Sequence, residues 1–131
     1  MVQREQGTGI QGSRAPGIEG SDVVIVLTTI GADPDAAMLA KTLVNERLAA
    51  CVNVLPPMQS VYRWKGKVEQ EREHQLVMKT RADKVAALQA RLRELHPYEL
   101  PEFIVLSGAA SAAYTAWAKE SVEPAKAGPH D

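Results

Sequence analysis

The seven residues HPYELPE, at positions 96–102, concentrate side chains that could do chemistry. The imidazole of His96 could bind a metal ion or move a proton, and the carboxylates of Glu99 and Glu102 could bind a cation. The two prolines of the motif indicate a bend instead, because a proline ends a helix and restricts the residue before it. The motif alone therefore leaves an active site, a metal site and a structural corner open.

Other candidate side chains are scattered along the chain. Cys51 is the single cysteine, and a small buried residue is its favoured interpretation. His74 alternates with apolar residues, which favours a hydrogen-bonded histidine on an apolar face over a ligand. Glu69, Glu71 and Glu73 share one face of a predicted strand. That face is either solvated or a patch for a hard cation.

The sequence contains none of the common catalytic or cofactor motifs. It has no Gly-x-Ser-x-Gly elbow, no P-loop and no Cys-x-x-Cys pair. These absences argue against a serine hydrolase, a phosphate-binding enzyme and a structural zinc site. The residues therefore indicate no particular enzyme class and no obligatory cofactor, although an enzyme without these motifs stays open at this point.

The composition is that of one globular domain. The 131 residues are 45% hydrophobic and 24% charged, with a net charge of −1. Without a basic block we expect no nucleic-acid partner, and without a long apolar run we expect no membrane partner. The single cysteine excludes an internal disulfide, and the first 20 residues lack a secretory pattern, so we expect a cytoplasmic location.

The chain divides into a folded domain, residues 22–122, between two tails, residues 1–21 and 123–131, whose composition predicts disorder. Within the domain, Asp33 and Pro34 predict the start of the first helix. The predicted strands cover residues 22–30, 51–55 with a continuation to Trp64, 68–80 and 102–108, and the predicted helices follow Asp33, Asp83 and Ser111.

This order predicts an α+β fold, a ferredoxin-like βαββαβ sandwich with a long hairpin and a short C-terminal helix. Strand 22–30 is so uniformly apolar that we expect it to be buried on both faces. The hairpin strands span roughly 43 Å and the second helix only about 20 Å, so the hairpin must overhang the helices. An overhanging hairpin and an uncovered apolar sheet face predict self-association.

Three stretches of the sequence together resemble the CutA divalent-cation tolerance family: LAACVNV, YRWKGK and HPYELPE. The resemblance extends over residues 23–122 in order. It implies a ferredoxin-like domain that forms a tight homotrimer, has no established catalytic activity and binds a divalent cation, with copper favoured. It also implies an alternative, a PII-like signalling or scaffold trimer that binds a small anionic ligand or a protein partner in clefts between subunits.

The resemblance also implies candidate site residues. His96 is the first candidate ligand for Cu(II) or another divalent cation, with Cys51 and Glu102 as secondary candidates. His74 departs from the family, which tends to have an aliphatic residue there, so it is either a buried neutral imidazole or an added metal ligand. The positions expected to line the inter-subunit cleft or to pack the trimer are Trp64, Glu73, Lys79, Tyr98, Tyr114 and Trp117.

Overall fold

The computed structural model describes residues 18–32 and 36–124, which form five strands, three α-helices and one 3-10 turn. The predicted helix start at Asp33 and Pro34 lies outside the described residues, as does His130. The elements are β1 (Ile18–Gly31), α1 (Ala36–Asn45), β2 (Cys51–Val54), β3 (Met58–Trp64), β4 (Lys67–Arg81), the turn Ala82–Lys84, α2 (Val85–Leu95), β5 (Ile104–Ser111) and α3 (Ala112–Val122).

The described strands form one antiparallel sheet whose longest member is β4. The sheet order is β2-β4-β1-β5, and β3 also pairs with β4. β2 pairs with one half of β4, starting at Cys51 opposite Lys79, and β3 pairs with the other half, ending at Trp64 opposite Lys67. The half that pairs with β3 extends beyond the part of β4 that pairs with β1, which ends at Glu73. The hairpin therefore overhangs the rest of the sheet, as its length predicts.

Helices α1 and α2 cover the first face of the sheet. Leu43 and Leu88 are fully buried there against Val26, Leu76 and Met78 of the central strands. Each of these side chains contributes about 1.5–3 kcal/mol on burial, so this layer holds the domain together. The periodic apolar residues of both helices point at this layer, which is why sequence patterning predicted them.

The second face of the sheet is only partly covered, by α3 at one end. Ala118 and Val122 pack on Val23 and Ala50 in a small separate cluster. The prediction that the first strand is buried on both faces is wrong within one chain, because β1 residues on the second face, such as Leu27, are only half-buried. The apolar side chains of β1 are therefore buried on the first face of the sheet and mostly half-buried on the second.

One element bound differs from the expected one. β1 begins at Ile18, four residues before the expected start of the folded domain, and pairs there with Ser111 at the end of β5.

Tyr114 and Trp117, which were expected to line the cleft or to pack the trimer, are 37% and 45% exposed in one chain. In the described part of the chain, no helix is long and apolar enough to cross a membrane.

Candidate functional site

An open groove of about 920 Å³ lies on the second face of the sheet, between the β3–β4 hairpin and the segment 98–104. We call it the acidic groove. Its walls include five carboxylate side chains and four aromatic rings, with Arg63 as a cation. The carboxylates belong to Glu69, Glu71, Glu73, Glu99 and Glu102, and the rings to Tyr62, Trp64, Tyr98 and Phe103.

The strand period places the β4 carboxylates in this groove. Glu69, Glu71 and Glu73 alternate along β4, so they project from the same face of the sheet. Glu73 is 5% exposed, whereas Glu71 is exposed. The predicted carboxylate face is therefore present, with Glu69 half-buried, Glu71 exposed and Glu73 buried. The segment 98–102 brings the remaining two carboxylates from the other side.

The buried carboxylate of Glu73 is held by Tyr98. The Tyr98 hydroxyl donates a hydrogen bond of 2.7 Å to Glu73 Oε2. Burial, this hydrogen bond and the negative charge of Glu73 together raise the pKa of the Tyr98 phenol above its ordinary value of 10.0. Tyr98 and Glu73, both expected to line a cleft, are thus in direct contact.

Replacing Tyr98 with phenylalanine should lower the free energy of unfolding at neutral pH by about 1.5 kcal/mol, because the buried carboxylate of Glu73 loses its donor. The raised pKa of Tyr98 means that the folded chain keeps the phenol proton when the unfolded chain releases it. The parent should therefore lose stability as the pH rises above 10, and Tyr98→Phe should lose less.

Chemical denaturation between pH 7 and pH 11 measures both effects. Tyr114→Phe is the matched control for the loss at pH 7, because Tyr114 is 37% exposed and no hydrogen bond joins its hydroxyl to another described residue. We expect the control to change the free energy of unfolding by less than about 0.5 kcal/mol. Equal losses in the two variants would contradict the role assigned to the Tyr98–Glu73 hydrogen bond.

Glu102 is also held in place at the groove wall. The Gln75 side-chain amide donates to Glu102 Oε2 at 3.0 Å and to the Thr28 carbonyl at 2.7 Å. The Glu102 carboxylate is therefore oriented but uses only one of its oxygens in this contact. Glu102 lines a groove that already carries several negative charges.

The His96 ring is buried at the corner between α2 and β5. Its Nε2 lies 2.7 Å from the Thr29 carbonyl, which can only accept, so Nε2 carries the proton. Its Nδ1 accepts a hydrogen bond of 3.1 Å from the Tyr98 backbone N–H. Both ring nitrogens are thus used inside the protein, and the side chain is 6% exposed. The imidazole has no free lone pair for a metal in this fold.

Cys51 does not lie beside His96. Cys51 is opposite Lys79, which pairs with Ile25 of β1, whereas His96 bonds to Thr29. Four residues of strand separate these two β1 positions, which is about 13 Å at 3.3 Å per residue. Cys51 is therefore too far from His96 to join a site with it within one chain. Metal binding by His96 and Cys51 stays a prediction.

The residues expected at the cleft fall into two groups on the second face. Trp64, Glu73 and Tyr98 line the acidic groove. Lys79 lies toward the α3 end, where its ammonium donates to Asn53 Oδ1 and lies 4.0 Å from Cys51 Sγ. The rings of Tyr114 and Trp117 on α3 are 5.3 Å apart. Burial, and to a smaller extent the Cys51 thiol, raise the pKa of the Tyr114 phenol. The structure does not join these two groups into one site within a chain.

Only one ring nitrogen of His74 makes a hydrogen bond within the described part of the chain. Its Nδ1 lies 2.7 Å from the Leu55 carbonyl and must donate to it. This geometry agrees with the hydrogen-bonded histidine favoured from the sequence. Among residues 18–32 and 36–124, no three His, Cys, Asp or Glu side chains lie close enough to hold one metal ion. The described residues of one chain therefore do not fit a complete metal site.

Known proteins resemble this chain over most of its length. Residues 24–121 match the CutA1 divalent ion tolerance protein family. The divalent-cation tolerance protein CutA of Thermus thermophilus is 41% identical over 98 residues, which cover 74% of this chain and 95% of the relative. The corresponding protein of Pectobacterium atrosepticum is 42% identical over 103 residues, which cover 77% of this chain and 93% of the relative.

Solved structures give the same result. CutA from Synechococcus elongatus is 38% identical with a TM-score of 0.76, covering 82% of this chain and 97% of that one. A PII-like protein CutA from Nostoc is 37% identical with a TM-score of 0.72, covering 76% of this chain and 97% of that one. The sequence resemblance is confirmed, and the chain belongs to the CutA1 divalent ion tolerance protein family.

Proposed function

We propose that this chain works as a non-enzymatic, cytoplasmic homotrimer that binds divalent cations at its acidic groove and so supports metal tolerance. The observation that carries the proposal is the convergence of five carboxylates on one open groove. The relatives in Thermus and Pectobacterium bear the name divalent-cation tolerance protein, which supports the same function.

The unburied apolar surface supports the trimer. Ile104 and Leu106 of the edge strand β5 are 46% and 47% exposed, and Val61 and Val68 of the overhanging hairpin are 60% and 61% exposed. Ile104 and Leu106 lie on the second face of the sheet, and Val61 and Val68 share the opposite face of the hairpin. Each pair leaves an apolar area of the kind that a stable protein covers. A ferredoxin-like protomer whose hairpin packs on the sheet of its neighbour would cover both areas.

The trimer would also complete the metal site. Within the described residues of one chain, no three His, Cys, Asp or Glu side chains lie close enough together to hold one ion. A neighbour that closes the groove would bring further donors toward Glu71 and Glu99. Carboxylate oxygens suit hard cations, while the affinity order of divalent ions places Cu(II) above the others. Copper, the cation favoured by the family resemblance, is therefore the first ion to test.

Calorimetric titration with Cu(II), Zn(II) and Mn(II) tests the proposal. The double variant Glu71→Gln with Glu99→Gln should bind the preferred ion at least tenfold more weakly, because two anionic donors are removed at little change in shape. The control is Glu120→Gln, which removes a carboxylate exposed on α3 and outside the groove. Binding that is equal in the double variant and the control would refute the groove as the cation site.

A PII-like ligand site is the second candidate function. The rings of Tyr62, Trp64 and Tyr98 in the groove favour it, because aromatic faces stack on planar ligands. The similarity to the PII-like protein CutA of Nostoc supports it as well. The five carboxylates disfavour an anionic ligand by repulsion, so this candidate fits a neutral or cationic ligand or a protein partner better. Micromolar binding of a nucleotide in the same calorimeter would favour the anionic alternative instead.

A further inference from the structure

The two histidines of the described domain differ in the availability of their ring nitrogens. In His96 both nitrogens are hydrogen-bonded, to the Thr29 carbonyl and from the Tyr98 N–H, and the ring is buried. In His74 only Nδ1 is hydrogen-bonded, to the Leu55 carbonyl at 2.7 Å, and the side chain is half-buried. Because Nδ1 donates, the neutral His74 ring carries its lone pair on Nε2.

We infer that His74, rather than His96, is the imidazole of this domain that can bind a transition-metal ion. A histidine that binds a metal usually donates its other N–H to a carbonyl or carboxylate, which fixes the tautomer and the ring orientation. His74 already has that arrangement through Leu55. A metal could reach His96 only after the Tyr98 N–H or the Thr29 carbonyl had lost its partner.

His74 by itself is one donor and not a complete site. No cluster of three His, Cys, Asp or Glu side chains exists in the described ranges, so water or a second copy would complete the coordination. His74 also lies outside the acidic groove, although its neighbours Glu73 and Gln75 line it. The physiological role of His74 rests on the proposed function, which is the binding of divalent cations. His74 would be a further donor for that class of ion, at a position outside the groove.

Chromatography on an immobilised Cu(II) chelate tests the availability of the ring directly. The chelator supplies the other ligands, so retention requires one accessible imidazole, whether or not the free protein binds copper. The starting protein is His130→Ala, because the histidine near the C-terminus would otherwise contribute. We expect it to be retained, and we expect the same protein with His74→Gln to elute near the void volume. Glutamine can still donate to Leu55, so the change removes the imidazole and keeps the hydrogen bond.

The inference is overturned if His130→Ala is not retained, or if His74→Gln is retained as strongly as its parent. A second readout is the ring nitrogen resonances of His130→Ala during titration with Zn(II). The His74 Nε2 resonance should shift while both His96 nitrogens stay in place, and the reverse pattern would also overturn the inference. The groove variants leave His74 intact, so failure of the proposed groove site and failure of this inference give different results.

Discussion

Replacing His96 with alanine should lower the free energy of unfolding by about 3 kcal/mol. The substitution leaves the Thr29 carbonyl and the Tyr98 N–H without their partner at a buried corner and opens a cavity. Each unsatisfied buried group costs about 1–3 kcal/mol, and the cavity adds to that cost. Urea denaturation at one fixed chain concentration measures the loss, because assembly makes stability depend on concentration.

His74→Ala is the matched control for this prediction. It also removes an imidazole and a hydrogen bond to a backbone carbonyl, but the side chain is half-buried and only one bond is lost. We expect a cost of about 1 kcal/mol for the control. If the two variants were equally stable, His96 would not be the residue that fixes the corner between α2 and β5.

Replacing Leu106 with glutamate should convert the proposed trimer to monomers at micromolar concentration without unfolding the protomer. Leu106 is 47% exposed on β5, and its β1 partner Ile25 is half-buried on the same face. A carboxylate at that position stays hydrated in a lone protomer but loses its water in a packed interface, which costs several kcal/mol per copy. The dissociation constant should therefore rise by at least a hundredfold.

Analytical ultracentrifugation gives the mass of this variant, and circular dichroism shows whether the protomer stays folded. The control is Ala37→Glu, which adds the same charge at an exposed position of α1 on the opposite side of the sheet. We expect the control to keep the mass of the parent. A Leu106→Glu protein that sediments like the parent would show that the second face of the sheet is not the assembly surface.

The sequence predicts those features of this protein that depend on local pattern. Helical spacing of leucines predicts α2, and Pro97 predicts its end, which the structure places at Leu95. Alternation predicts that Glu69, Glu71 and Glu73 share a face. The overhang of the hairpin follows from residue counts alone, because the rise per residue of a strand is about twice that of a helix.

The chemistry of His96 could not be predicted from local pattern, since it depends on contacts distant in sequence. The His96 ring donates to the carbonyl of Thr29, which is 67 residues away in the sequence. The nearby Tyr98 donates to Glu73, which is 25 residues away from it. A histidine before a proline has the same appearance in sequence whether its ring is free or bonded. The separation of Cys51 from His96 likewise depends on the register of β2 on β4.

His74 could be singled out from the sequence, though not assigned. Its position among apolar residues indicated a satisfied ring, and the Leu55 carbonyl supplies that partner. The interruption between β2 and β3 brings the Leu55 carbonyl to the His74 ring, and this contact decides which ring nitrogen stays free. The backbone N–H of Leu55 donates to the Gln75 carbonyl at the same place. Only the folded chain reveals that arrangement.

A homotrimer in which neighbouring copies complete the groove and cover the apolar face is the assembly proposed for this chain. Static light scattering of the unmodified protein at micromolar concentration, coupled to size-exclusion chromatography, tests it most directly. We expect a single species with three times the 14.2 kDa mass of the chain. A species with the mass of one chain would refute the trimer, because the exposed strand β5 and the incomplete cation site would then have no partner.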